Sequence, residues 1–87
     1  PAEAARAIEL CRRATDLLVR QDPATRRHPD WRTLRQALGY CWSVAVAADP
    51  AAGRPAFARL AQSTDDLDVA WIVRTNASKR RLAKLLV

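Results

Sequence analysis

HPDWRTLRQALGYCWSVAVAADP, residues 28–50, decides the architecture of this chain. Trp31, Leu34, Leu38, Cys41, Ala45 and Ala48 return every three or four residues, the spacing of one helical stripe. Asp30 is of the type that caps a helix start, and Asp49-Pro50 ends the run, so the spacing predicts a helix over 31–48. From Ala37 onward the opposite side is apolar as well, with Tyr40, Val44 and Ala47, while Arg32, Arg35 and Gln36 keep to the N-terminal end. A helix apolar all round has to be covered on both sides, so this segment is expected to be the central element. Gly39 within it admits close approach of a neighbour, at about 1 kcal/mol of helix propensity relative to Ala.

Upstream, residues 3–20 read as an amphipathic helix. Ala4, Ala7, Ile8, Cys11, Ala14, Leu17 and Leu18 form its stripe, and Glu9 with Arg13 and Asp16 with Arg20 make i,i+4 pairs on the solvated side. QDPATRRHPD, residues 21–30, is a connector, because Pro23 and Pro29 turn the residues before them away from the helical region. Downstream, Pro55 suits the first turn of a short helix over 55–62 that presents Phe57, Leu60 and Ala61. Ser63 or Thr64 ends it, and Asp65 or Asp66 caps the last segment. There Leu67, Val69, Ile72, Val73 and Ala77 keep helical spacing, and Leu82, Leu85 and Leu86 continue on a rotated face, which implies a bend near residues 76–78.

The whole is 87 residues, the size of one domain, here 1–87, divided into a leading helix (1–22), a helix pair (29–62) and a final repeat (65–87). It begins at Pro1 and contains no Met, which is expected of a piece of a longer polypeptide. Two glycines in the entire chain argue against a turn-rich β architecture and for an all-α one. Cys11 and Cys41 lie thirty residues apart on apolar helical faces and read as free thiols of a cytosolic protein. His28 is the one histidine and lies in the connector, too few ligands for a metal site and no partner for a nucleophile. No phosphate-binding glycine motif occurs. An enzyme, a cofactor and a metal are therefore not expected. No signal peptide and no apolar run of the ~20 residues that span a bilayer are present, so a cytoplasmic protein without a membrane partner is expected.

Two helix openings resemble each other: Asp30-Trp31-Arg32-Thr33-Leu34-Arg35 and, 36 residues later, Asp66-Leu67-Asp68-Val69-Ala70-Trp71; matching Arg35 to Arg74 instead gives 39. Such a period with helix pairs is what stacked helical repeats show. STDDLDVAWIVRTNASKRRL (63–82) resembles the terminal repeat of bacterial HEAT-repeat proteins, in which an acidic turn precedes a Val-x-Trp-Ile-Val-Arg helix and a basic end. HPDWRTLRQALGYCWSVAVAADP resembles the repeat before it. The resemblance covers about residues 29–84 and implies a HEAT-like α-solenoid fragment of four or five antiparallel helices, a scaffold for protein–protein interaction. More distantly the chain is similar to the DNA alkylation repeat family, whose HEAT-like helices cradle alkylated DNA. That family's Trp-Trp-Asp-type cluster is not found, and Asp30 beside Trp31 reads as a helix cap.

Net charge is +6, with +3 over residues 1–36, −3 over Asp65–Asp68 and +5 from Arg74 onward. Two sets of cations are candidate contacts. Arg32, Arg35 and Arg74 on one face suit an acidic peptide or protein, though Arg35 and Arg74 could instead pair with Asp residues of the next inter-repeat turn. Arg74, Lys79, Arg80, Arg81 and Lys84 would suit the phosphates of a nucleic acid. Their position behind Asp65, Asp66 and Asp68 is also the order that the helix dipole favours, at about 0.3–1 kcal/mol per charge.

Overall fold

A computed structural model describes residues 2–63 and 65–86. They form α1 (Ala2–Val19), a 3-10 turn (Thr25–Arg27), α2 (Pro29–Ala48), α3 (Pro50–Ala61), α4 (Leu67–Ala77) and α5 (Arg80–Leu86), with no strand among them. The fold is all-α, and α2 is its centre, touching each of the other helices. Around it α3 packs on α1, α4 packs on α3, and α5 closes against α2 and α4.

Helix boundaries follow from the caps. The cap of α2 is His28, not Asp30: its Nδ1 accepts the Asp30 N–H at 3.2 Å, and Pro29 takes the first helical position. Pro has no N–H to lose there and its φ is already helical, so the start moves back two residues and Asp30 becomes a first-turn anion. Asp49 closes α2 through its N–H to the Ala45 carbonyl and opens α3 by accepting the Ala52 N–H. Helix α3 consequently starts at Pro50, five residues before the Pro55 expected from sequence, and Pro55 lies inside it. Its missing N–H deprives only the exposed Ala51 carbonyl, which water can reach. Of the two aspartates expected to cap α4, it is Asp66 that does so, accepting from the Asp68 and Val69 N–H groups. The expected break falls at Ser78 and Lys79. Thr64, the alternative end of α3, lies outside the described residues.

Ile8, Cys11 and Leu18 of α1 meet Leu38, Trp42, Ala45 and Val46 of α2, with Phe57, Ile72 and Leu82 closing the core. Trp42, which lies off the sequence stripe, is 1 % exposed and tilts against Phe57 at 6.1 Å between ring centroids. Its Nε1–H donates to Thr15 Oγ1 at 3.0 Å, and that hydroxyl donates to the Cys11 carbonyl at 2.7 Å. Thr15 thereby replaces Leu17 in the buried row of α1, and Leu17 is left outside. The second apolar side of α2 departs from expectation too: Tyr40 is 51 % and Val44 48 % exposed. The central helix is surrounded on one side only, because α3, α4 and α5 all crowd the flank that carries Gly39, Trp42 and Val46.

Two features let helices cross closely there. A Cβ on Gly39 would stand 2.7 Å from the Trp71 ring, and one on Gly53 would stand 2.7 Å from the Val46 backbone. Asn76 of α4, fully buried, accepts the Ser43 N–H at 2.9 Å while donating to the Leu38 and Ile72 carbonyls at 2.8 and 2.7 Å. One amide thus stitches α4 to two backbone groups of α2 and satisfies its own polar atoms. Asn76→Ala is expected to lower the unfolding free energy by about 2–4 kcal/mol, since the Leu38 carbonyl and Ser43 N–H lose a buried partner. Urea denaturation followed by circular dichroism checks this, and a loss below about 1 kcal/mol would show the amide to be dispensable.

Candidate functional site

Cationic side chains divide into a buried network and two exposed sets. The network centres on Arg26, in the 3-10 turn, whose side chain is 14 % exposed. Its Nε–H donates to the Gln21 carbonyl at 2.8 Å and its Nη2 to the Val19 carbonyl at 2.9 Å, which ties it to the end of α1. Both terminal nitrogens also grip Asp66, at 2.9 Å each, and Nη1 reaches Asp68 at 3.0 Å. A guanidinium presents its donors as a planar fork, and this one uses all three nitrogens. The Asp66 carboxyl is held below the usual carboxylate range, first by the Arg26 hydrogen bond and against the opposing effect of burial, with help from the Val69 and Asp68 N–H groups. No local pattern around Arg26 announces this role. Charge gives little signal either, because Arg26 and Arg27 share the connector with Asp22 and Asp30 and the acidic turn lies forty residues away.

Arg35 joins the network from α2, its Nε–H donating to Asp68 Oδ1 at 2.7 Å. Its guanidinium also lies 3.9 Å above the Trp71 ring centroid, a cation–π contact. Gly39, one turn further on, leaves room for the far edge of the same ring. Arg35 therefore pairs with the acidic turn that opens the next helix. Arg74, its counterpart in the 39-residue alignment, is exposed and in no ion pair among the described residues. Arg32 is exposed and, with Arg35, Thr33, Gln36 and Tyr40, borders a shallow groove on α2 that does not reach Arg74.

The other exposed set sits at the α4–α5 corner. Arg80, Arg81 and Lys84 are exposed and Lys79 is half-buried, and none forms an ion pair among the described residues. Arg81 Nη1 touches Ser43 Oγ at 3.3 Å, which turns it toward α2. These groups can hold carboxylates or phosphates. Elsewhere, burial and then the neighbouring charge of Cys41 push the Cys11 thiol up to about 11, so it is protonated and unreactive at neutral pH. Among the described residues no three His, Cys, Asp or Glu side chains gather as metal ligands, and no helix is long and apolar enough to cross a membrane.

Asp66 carries a pH dependence whose sign is determined. Its folded pKa is depressed, so its stabilisation is complete above the unfolded value of about 3.9 and is lost as pH falls through the folded value. Asp66→Asn keeps a good helix cap but removes the charge. It is expected to cost roughly 1–3 kcal/mol at pH 7 and to flatten the loss of stability below the ordinary carboxylate range. Chemical denaturation across pH 2–6 (approximate limits set by carboxylate titration) reads both effects, and an unchanged acid limb would remove Asp66 from the account. The chain matches no protein-family model, no curated protein and no solved structure.

Proposed function

We propose that the chain is a non-enzymatic, HEAT-like repeat module that binds protein in the cytoplasm. The observation that carries this reading is the way two helix pairs lie side by side. On this reading α1 and α2 would be one pair and α3 and α4 the next, a pairing shifted by one helix from the leading helix and 29–62 pair expected from sequence; α3 lies against α1 and α4 against α2, while α3 also packs on α2. Stacked repeats have that adjacency. Arg26 and Arg35 of the first pair reach the Asp66–Asp68 turn that opens the last helix of the second, an ion ladder running from repeat to repeat. On this reading the caps of α2 and α4, His28 and Asp66, would mark corresponding positions 38 residues apart. Of the three arginines expected to face an acidic protein, Arg32 and Arg74 are exposed and would offer it cationic contacts, while Arg35 is occupied by Asp68 and Trp71.

A second reading, a DNA-binding module related to the alkylation-repair HEAT-like proteins, is favoured by Arg74, Lys79, Arg80, Arg81 and Lys84, which form no ion pair among the described residues. The two differ in salt response. Random-peptide display against the chain is expected to enrich acidic peptides with apolar anchors, with binding weakened about tenfold by Arg32→Glu, equivalent to 1.4 kcal/mol. Duplex DNA is expected not to bind at low salt. Saturable DNA binding whose affinity falls with a log–log salt slope of about −0.9 per phosphate contacted, abolished by Arg80→Glu and Lys84→Glu, would replace the first reading with the second.

A further inference from the structure

Both helices of the first pair carry an uncovered apolar seam, and the two seams share one side of the molecule. On α1 the seam is Ala7, Leu10, Ala14 and Leu17, in steps of three, four and three residues. Leu10 is 65 % and Leu17 48 % exposed, while both alanines pack partly against the core. On α2 it is Ala37, Tyr40, Val44 and Ala47, with the same steps. This is the spacing by which one helix seats on another in a coiled coil.

Contacts on the far flanks establish that the seams face the same way. Arg12 and Asp16 of α1 border Ala56, Arg59 and Leu60 of α3, so Leu10 and Leu17 lie on the flank turned away from α3. On α2, Gly39 meets α4, Ser43 meets α4 and α5, and Val46 meets α3, so Tyr40 and Val44 point away from all three. Leu34 and Cys41 of α2, partly buried against the core, fall by helical spacing on the α1 side of the α2 seam, an arrangement that would make an open apolar trough along the α1–α2 pair.

The rim of that trough is cationic. Arg6, Arg13 and Arg20 recur every seven residues beside the α1 seam, the place from which flanking charges choose a helical partner. Arg32 stands at the N-terminal end of the α2 seam, bordering the same groove as Ala37 and Tyr40 and, on its other side, Arg35 and Asp68. Arg13 shares a carboxylate with Glu9, and Glu3 lies near one end, while Arg6, Arg20 and Arg32 have no ion pair among the described residues. A second copy would bring arginine rim against arginine rim, which like-charge repulsion opposes. We infer that this trough docks an amphipathic helix of a partner protein, apolar along one stripe and acidic on its flanks. The inference rests on the protein-binding reading above and names the partner's chemistry and its seat.

A labelled three-heptad helical peptide with Leu and Ala on one stripe and Glu beside it is the probe, with a Lys-for-Glu counterpart as control. By fluorescence anisotropy the Glu peptide is expected to bind one to one, at least about tenfold tighter than the Lys peptide. Leu10→Gln combined with Leu17→Gln should lose about tenfold or more while the circular dichroism spectrum and melting stay unchanged, because both side chains are already exposed. Reversal of Arg6, Arg20 and Arg32 to Glu should switch preference to the Lys peptide. Absence of saturable binding, equal affinity for both peptides, or indifference to the leucine variants overturns the proposal. So does sedimentation as a dimer that the leucine variants break, which would assign the face to a second copy. Should displayed peptides bind the chain and yet ignore Leu10 and Leu17, the module reading stands and this seat falls.

Discussion

The hydrogen bond from the Trp42 indole to Thr15 sets the register on which the other contacts depend. A buried indole N–H must find an acceptor, and the only way to supply one here is to turn α1 so that a hydroxyl, not a leucine, faces α2. That rotation puts Ile8, Cys11 and Leu18 inside and Leu10 and Leu17 outside. The same ring then offers its other surface to Phe57, which positions α3. A single polar atom in an apolar core thus orders three helices.

The α2–α4 crossing is held differently, at both ends and in the middle. Asn76 enters the interface and bonds to the backbone of α2, Gly39 yields its side-chain volume to Trp71, and Arg35 covers that ring while pairing with Asp68. Each device requires the others' geometry. Trp71 lies under the guanidinium that reaches Asp68, and the ring has its place because Gly39 has no Cβ. Arg26 extends the same arrangement to the end of α1, where it occupies carbonyls that the helix terminus leaves without partners. Asp66 and Asp68 of the acidic turn are therefore paired within the fold, and much of the positive charge is displayed at its edges.

That division of charge bears on function. Arg26 and Arg35 are engaged internally, whereas Arg6, Arg20 and Arg32 beside the open α1–α2 face and the cations of the α4–α5 corner have no ion pair among the described residues. Apolar area and unpaired arginine coincide on one face, and it is this coincidence, not the net charge of +6, that separates a protein partner from a general polyanion. Among the described residues of α5, Leu86 is the one exposed large apolar side chain.

Periodicity alone determined that the chain is helical and that residues 31–48 belong to its central helix, because these depend on interactions within a few residues; for the cap of α4 it left Asp65 and Asp66 open. Cap and proline chemistry placed the remaining boundaries, and there the reading of Asp30 and Pro55 erred, since two candidate residues stood close together and small differences in backbone fit chose between them. Only the tertiary structure decided which way each apolar helix turned. Leu17 and Tyr40 belong to stripes as good as those that are buried, and Trp42 to none, yet Trp42 is the core and the other two face water. Helical spacing records how residues share a face. Which face goes inward is settled by long-range fits, an N–H to Thr15, an amide to Leu38 and Ser43, a guanidinium to Asp66, that no local window contains.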